Sequence, residues 1–362
     1  MRFSIAINMM RRRPDVPMET IAAQALEMVV AAEGLGFDIV WAAEHQGFDI
    51  AWAAEHHTIE YTIAPNPLVL IVHWAAHVRR MRLGTAVITA PYWNPLRAAG
   101  EIALADILTG GRLEVGFGRG AYQYEFDRMA GGMAQERGGD YLRELVPAVQ
   151  KLWQGDYAHD GTIWKFPRAT SVPKPLQQPH PPLWIAARDP DTYDWTIKHG
   201  LDVMATPLSK PDSEVENLAG KLARAVADNP GARRPRFMVL RRTCVYEDAT
   251  DWRVPAEAAA EDTRVFNGLF YNAAGVVNGL PTAMDPGSAA PPSPEVLRDS
   301  LMFGTPDQVI DRIRRYARLG VDHYCYGASF GLPHDFAMRS LELFGREVMP
   351  CFRETTVPAA AP

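Results

Sequence analysis

The sequence predicts a parallel (β/α)₈ barrel. Eight short runs rich in β-branched and apolar residues alternate with longer helix-like segments along most of the 362 residues, which is the pattern of an α/β fold with a parallel sheet. An open doubly wound sheet is the alternative. It is less favoured because no glycine-rich phosphate loop follows the first strand. We expect residues 1–352 to form a single barrel domain and 353–362 a disordered tail.

The predicted elements follow from periodicity and composition. The first helix, for example, has Ile21, Ala25, Met28 and Ala32 at helical spacing. The predicted strands are 3–7, a segment within the repeat at 36–57, 82–90, 112–117, 182–187, 201–205, 236–246 and 321–327. The predicted helices are 17–35, 67–80, 96–108, 135–153, 191–199, 213–227, 306–319 and 334–348.

Composition narrows the possible partners and compartment. There are 37 Lys and Arg against 43 Asp and Glu, a formal net charge of −6, and the longest basic run is only 11–13, which argues against nucleic acid. The three cysteines show no paired or metal-like spacing, as expected in a reducing compartment. No signal-peptide pattern opens the chain, and the longest apolar run, 67–76, is too short to span a bilayer. We therefore expect a cytoplasmic protein without membrane contact.

An 11-residue tandem repeat occupies 36–57. Each copy is predicted to form a short apolar strand that leads into Glu-His, with His45 in the first copy and His56 in the second. A closed barrel has a fixed strand number, so only one copy is expected to enter the sheet.

The acid and imidazole at the end of this strand are candidates for proton transfer, because catalytic side chains project from the carboxyl ends of barrel strands. The alternative is a loop histidine satisfied by hydrogen bonds. A metal site at Glu55, His56 and His57 is not expected, since neighbours in extended backbone point to opposite faces.

Two segments could bind an anion. Gly118, Arg119 and Gly120 follow the fourth strand, where glycines allow close backbone approach and a guanidinium can hold a phosphate. At 187–192, Asp189 or Asp191 could cap the next helix and leave amides for a phosphate, or could simply form an ordinary helix cap.

Two irregular regions, 155–181 and 267–294, are longer than ordinary connections and are predicted to form lid-like insertions at the mouth of the barrel. The aromatic residues around Tyr122 fit either a ring-binding pocket or ordinary packing.

Taken together, these segments resemble the bacterial luciferase-like, flavin-dependent monooxygenases. The matching stretches run in order through nearly the whole chain, at 35–38 with 52–57, 65–67, 82–87, 94–97, 110–113, 118–122, 174–177, 181–187, 303–306, 341–344 and 347–350.

This resemblance implies the same (β/α)₈ barrel, with reduced FMN, or alternatively the deazaflavin F420, bound at its carboxyl-terminal mouth. Ala86 and Val87 would lie beneath the flavin ring, where some relatives carry a non-prolyl cis peptide. The residues implied to bind the cofactor are Ala86, Val87, Gly118, Arg119, Gly120, Tyr122, Arg188, Asp189 and Thr192.

The family histidine corresponds to His56 when the sequence is read back from 65–67, and to His45 when it is read forward from the first helix. We favour His56, because His57 and Tyr61 continue into the family pattern whereas the first copy ends in Gln46.

The implied reaction is monooxygenation. Reduced FMN from a separate reductase would react with dioxygen to form a C4a-hydroperoxide, which transfers one oxygen atom to a small organic substrate. The alternatives are hydride transfer with F420 and a flavin-binding protein without turnover. Relatives of this kind also imply a homodimer.

Overall fold

The fold is a closed barrel of eight parallel strands surrounded by helices, as predicted. A computed structural model describes residues 1–35, 49–273, 275–281 and 292–352. The barrel strands pair in a ring that begins and ends at the N-terminal strand. In chain order they are β1 (Arg2–Ile7), β2 (Ile50–Ala53), β3 (Arg82–Thr89), β4 (Leu113–Gly118), β7 (Leu183–Ala186), β8 (Asp202–Ala205), β9 (Phe237–Val245) and β13 (His323–Gly327).

The helices surround this ring. They are α1 (Met18–Gly34), α2 (Pro67–Ala75), α3 (Pro95–Leu108), α4 (Gln123–Met129), α5 (Gly138–Gln154), α6 (Pro190–Lys198), α7 (Asp212–Ala227), α8 (Arg253–Phe270), α9 (Pro294–Ser300), α10 (Pro306–Arg318) and α11 (His334–Leu343). The sequence periodicity did not predict α4, α8 or α9. The last helix was predicted to end at 348, whereas α11 ends at Leu343 and a π-helical turn covers Phe344–Val348.

The strand supplied by the repeat comes from its second copy. Ile50–Ala53 pairs with β1 on one side, with Ala6 opposite Trp52, and with β3 on the other, with Gly84 opposite Trp52. His56 therefore follows β2 directly. The first copy, including His45, lies in the range 36–48, outside the described residues.

Two insertions form small antiparallel hairpins. In the first, β5 (Tyr157–Asp160) pairs with β6 (Lys165–Ala169). In the second, β10 (Val276–Val277) pairs with β11 (Leu280–Pro281). A short strand, β12 (Met302–Gly304), extends the sheet beside β9.

The two insertions lie at opposite ends of the barrel. Gln177 in the first donates to the carbonyl oxygen of Leu113 and accepts from Arg82, both at the amino-terminal ends of their strands. This differs from the predicted lid, because 155–181 follows a helix rather than a strand and so returns to the closed end. In the second, the Gly279 carbonyl accepts from the Glu60 amide beyond β2, which places it at the mouth. Its residues 282–291 lie outside the described part of the chain.

Side chains in the barrel interior become smaller toward the mouth. Side chains along a strand point alternately to the two faces of the sheet. The buried cluster inside the barrel therefore identifies the inward positions on each strand. Near the closed end they are large or charged: Glu114, Trp184, Asp202, Arg236 and His323. The middle layer contains Trp52, Met204, Met238 and Cys325. At the mouth most inward positions carry small residues, namely Ala6, Ala86, Gly118, Ala186 and Gly327, whereas Arg242 of β9 is a large exception. The carboxyl-terminal end is therefore shallow and open above a filled core.

Candidate active site

The segment after β2 places two imidazoles on two different buried carboxylates. His56 Nδ1 lies 3.2 Å from Glu125 Oε2, and the His57 amide donates to Glu125 Oε1 at 2.6 Å. The His57 ring instead reaches back to Glu55, with Nε2 2.7 Å from Oε1. Glu125 belongs to α4, so that short helix fixes the orientation of the histidine that follows β2.

Glu55 holds this segment to the rim of the barrel. Its carboxylate accepts the backbone amide of Thr89 at the end of β3 at 2.7 Å, and the indole N–H of Trp93 at 3.0 Å. The residue is only 4 % exposed. A buried carboxylate with several donors is a rigid anchor, so Glu55 positions the segment while Glu125 contacts His56.

An aromatic wall packs against His56. Tyr122 stacks on the imidazole, with ring centroids 5.1 Å apart and planes at 28°, and Tyr61 meets it edge-on at 5.9 Å. Phe266 of α8 contacts Tyr122 from the other side at 5.9 Å. Burial, reinforced by Tyr61 and Glu125, raises the pKa of Tyr122 well above 10. The Tyr122 hydroxyl is therefore neutral at physiological pH.

The floor beside this wall contains the irregular part of β3. The peptide bond between Ala86 and Val87 is cis, as the resemblance implied, and the pairing of β3 with β4 shifts register between Thr85 and Ile88. Gly118 lies opposite, where an added Cβ would be 2.5 Å from Val87 Cγ2. Glycine at 118 thus lets the Val87 side chain lie close against β4, where any larger residue would clash with it.

The glycine-rich turn after β4 leads into α4 and packs against the beginning of α5. Gly120 has φ +84°, a conformation that favours glycine, and an added Cβ there would meet the Phe126 ring at 2.7 Å. Arg119 is exposed and donates to the Gln135 carbonyl oxygen at 3.3 Å. Its own carbonyl packs against Gly138, the first residue of α5. Arg137, adjacent to this helix start, adds a second cation that the sequence reading did not single out.

The other anion candidate contains an ordinary helix cap. Asp189 is the N-cap of α6 and accepts from the Thr192 amide at 2.9 Å and from the Thr192 hydroxyl at 2.8 Å. Arg188 lies 3.5 Å from Glu214. The Asp189 carboxylate thus takes the amide that a phosphate would need, which leaves the Arg119 side as the more favourable position for an anion.

Comparison with known proteins agrees with this architecture. Residues 42–323 match the family described as luciferase-like monooxygenase. The oxygenase component of a flavin-dependent trigonelline monooxygenase from Acinetobacter baylyi is 37% identical over 360 residues, covering 99% of this chain and 97% of that protein. The chain belongs to the luciferase-like monooxygenase family.

A further relative is similar over most of the chain, and a solved structure shares the fold. An FMNH₂-dependent dimethylsulfone monooxygenase from Pseudomonas putida is 28% identical over 295 residues, covering 77% of this chain and 76% of that protein. The crystal structure of the monooxygenase RslO1 from Streptomyces bottropensis superimposes with a TM-score of 0.77 at 23% identity, covering 98% of this chain and all of that one. The predicted family and the predicted barrel are confirmed.

Within this luciferase-like barrel, the structure brings His56, Tyr122, Ala86, Val87 and Gly118 to one mouth. Arg119 and Gly120 lie at the rim of the same mouth, and Arg188, Asp189 and Thr192 follow β7 at the same end. The sequence analysis did not single out Glu125 or Trp93. The signal for Glu125 was its place one turn beyond the glycine-rich segment, beside the buried Phe126.

Proposed function

We propose that this chain is the oxygenase component of a two-component flavin-dependent monooxygenase, which uses reduced FMN and dioxygen to oxygenate a small organic substrate. The observation that carries the proposal is an imidazole, His56, held by a buried carboxylate at the edge of a shallow mouth floored by small residues. The full-length similarity to the oxygenase component of trigonelline monooxygenase supports this choice. When bound, reduced FMN supplies the two electrons that activate dioxygen, so that one oxygen atom enters the substrate and the other leaves as water.

The residues present fit a flat ring with a phosphate arm. The ring would rest on Ala86 and Val87, and the place of Val87 depends on the absence of a Cβ at Gly118. The phosphate would lie at the rim, held by the guanidinium of Arg119 with the beginning of α5 and Arg137 beside it. Arg188 and Thr192 would contribute from the opposite side if the Asp189 cap opened.

His56 is the group that we assign to proton transfer. With Nδ1–H donating to Glu125, Nε2 carries the lone pair and can take a proton from the substrate and return it after oxygen transfer. Glu125 holds the ring in this tautomer and orientation. Tyr122 limits rotation of the imidazole by stacking on it.

The described part of the second insertion shields this chemistry from water. Leu269 is buried against Ile59, Tyr61 and Tyr122, and Phe266 and Phe270 pack on the same cluster. Exclusion of water protects a reactive oxygen species from decomposition. We therefore propose that the described residues of the segment 267–294 cover the mouth during turnover.

We also propose that the enzyme is a homodimer. Four apolar side chains are exposed on two neighbouring helices: Val69 of α2 at 68 %, and Leu104, Ile107 and Leu108 of α3 at 48 %, 41 % and 56 %. Such a patch is typical of an interface, and a second copy of the chain is the partner that we propose for it. Leu108→Glu should yield monomers in light scattering, whereas Val296→Glu on α9 should not. A wild-type monomer would refute this.

A cytoplasmic location suits the proposed reductase partner. Cys244 and Cys325 are buried and Cys351 is exposed, and all three are free thiols, as expected in a reducing compartment. Within the described ranges, no helix is long and apolar enough to cross a membrane.

The decisive experiment is substrate-dependent oxygen uptake. Purified protein is given reduced FMN from a separate flavin reductase, with trigonelline as the first substrate tested, and both oxygen consumption and oxygenated product are measured. We expect product only when reduced FMN and dioxygen are both present. Anaerobic oxidation of reduced F420 coupled to substrate reduction would instead support the hydride-transfer alternative. Saturable FMN binding without product across a substrate panel would support a binding protein.

A further inference from the structure

A buried charge cluster lies at the mouth beside the aromatic wall. Arg242, near the end of β9, bonds Asp262 of α8, with Nη2 2.5 Å from Oδ2. Arg12, from the loop after β1, reaches the other oxygen of the same carboxylate at 3.1 Å. Arg242 also donates to the hydroxyl groups of Thr263 and Ser209. Residue 242 shares the inward direction of Met238 in the strand, so its side chain projects into the barrel mouth.

The charges in this cluster do not balance. Two guanidiniums share one carboxylate that is 1 % exposed, while the Arg242 and Arg12 side chains are only 14 % and 24 % exposed. Tyr61 contributes no negative charge, because burial and the nearby Asp262 raise the pKa of its hydroxyl above the usual value. The described neighbours therefore leave one positive charge in excess. A largely desolvated cation favours a counter-anion.

The ion pairs around the cluster do not remove this excess. Arg11 is paired with Glu60 at 2.5 Å, and Arg264 is paired with Glu261 at 2.5 Å. Each pair is neutral in itself. The unmatched charge therefore belongs to Arg12 and Arg242.

A small cavity adjoins Arg12 and Tyr61. Its volume is about 60 Å³, roughly the space of two water molecules, which suits a carboxylate group and is too small for a ring. The residues that line it are Met10, Arg11, Arg12, Tyr61, Glu261, Val265, Leu280 and Pro281. A group bound here would meet the guanidinium of Arg12, and it would meet the neutral Tyr61 phenol as a donor where it replaces the hydrogen bond of that phenol to Asp262.

The aromatic wall connects this cavity to the proposed proton-transfer residue. Tyr61 lines the cavity and its ring lies 5.9 Å from the ring of His56. Tyr122 lies 6.2 Å from Tyr61 and stacks on His56. One planar ring attached to a carboxylate could therefore place its acid group at Arg12, with the charge of Arg242 nearby, and its ring toward the wall beside His56.

We propose that Arg242 and Arg12, with Tyr61, form the carboxylate-binding site of the substrate, and that the substrate is a carboxylic acid with a single planar ring. The assignment of this ligand as the substrate rests on the proposed monooxygenase function. The alternative is a cluster that only ties the loop after β1 to α8.

Ligand binding without turnover tests the site separately from the reaction. The probes are two pairs that differ only in the acid group, trigonelline with 1-methylnicotinamide and nicotinate with nicotinamide. Their dissociation constants are measured by calorimetry with FMN present and absent. We expect at least one acid to bind wild-type protein about tenfold or more tightly than its amide, as loss of a charged hydrogen-bond partner implies.

Variants assign the preference to the arginines. Arg242→Gln and Arg12→Gln should each reduce the ratio of amide to acid dissociation constants toward one. Arg128→Gln removes a charge from the exposed face of α4, where Arg128 covers Tyr124, and should leave the ratio unchanged. Asp262→Asn removes the competing carboxylate and should raise the ratio, whereas a merely structural cluster predicts no such increase.

Several outcomes would overturn the proposal. They are equal wild-type affinity for acid and amide, failure of both acids to bind at millimolar concentration, and an unchanged ratio in Arg242→Gln. Because the ratio compares two ligands on one protein, partial unfolding of a variant affects both members equally. Oxygen uptake that fails while the binding preference holds would count against the monooxygenase function alone.

Discussion

Glu125→Gln is the substitution that most directly tests the assignment of His56. The amide keeps the shape of the carboxylate and can still accept the His57 N–H, now 2.6 Å from Glu125 Oε1. It loses the negative charge that faces His56 Nδ1 at 3.2 Å. The backbone of the segment should stay in place while the electrostatic hold on the imidazole disappears.

The expected loss follows from the size of that interaction. A hydrogen bond to a charged partner contributes about 1.5–3 kcal/mol, and about 1.4 kcal/mol corresponds to a factor of ten in rate. We therefore expect Glu125→Gln to lower the rate of oxygenated product formation by roughly 10- to 100-fold. Removal of the imidazole in His56→Gln should cost more, within the ~10²–10⁴-fold range of general acid–base catalysis.

The assay is single-turnover product formation with protein preloaded with reduced FMN, in a double-mutant cycle. If Glu125 acts through His56, the double variant should be about as slow as His56→Gln alone. Two results would refute the reasoning. One is a wild-type rate in Glu125→Gln, and the other is an equal loss from Glu125→Gln whether or not His56 is present.

Three further predictions concern the barrel. Glu114→Gln breaks the buried contacts with the arginines at the closed end, and should lower the free energy of unfolding in urea by about 3–5 kcal/mol. Arg168→Gln breaks an exposed ion pair with Asp156 and should change that free energy little. Burial lowers the pKa of His323 to about 3. Below about pH 6.5 the unfolded chain therefore binds more protons than the folded one. The free energy of unfolding should fall from there toward pH 3 by up to about 1.4 kcal/mol per pH unit. His323→Gln should flatten this pH dependence. Gly118→Ala should weaken FMN binding in a fluorescence titration, because its Cβ would meet Val87, whereas Gly34→Ala, with open space around it, should not.

The sequence predicted the barrel because each of its strands is short, apolar and separated from the next by a helix-length segment. The strand predicted at 236–246, for example, is Phe237–Val245 in the structure. The placement of the insertion at 155–181 was harder to predict. Its length indicated a functional loop, but only the order of helix and strand around it decides which end of the barrel it occupies.

The charge cluster had no comparable signal in the sequence. Arg241 and Arg242 are adjacent and chemically identical, yet alternation along β9 sends them to opposite sides of the sheet. Arg241 is 1 % exposed and bonds the carbonyl oxygen of Lys210. Arg242 faces the mouth and meets Asp262. Their different roles depend on strand register and on the position of α8, a helix that the sequence periodicity did not predict.

The tandem repeat shows how pairing can decide between nearly identical segments. Both copies carry the same apolar strand and the same Glu-His ending, so local propensity does not distinguish them. The second copy leads without interruption into Asn66, the N-cap of α2. Its Glu55 accepts from the Thr89 amide at the end of the adjoining strand and from Trp93 in the segment that follows that strand. A segment that entered the sheet eleven residues earlier would have to span a second Glu-His unit before reaching α2. The choice of strand therefore depends on contacts after the repeat, and those contacts also place His56 against Glu125.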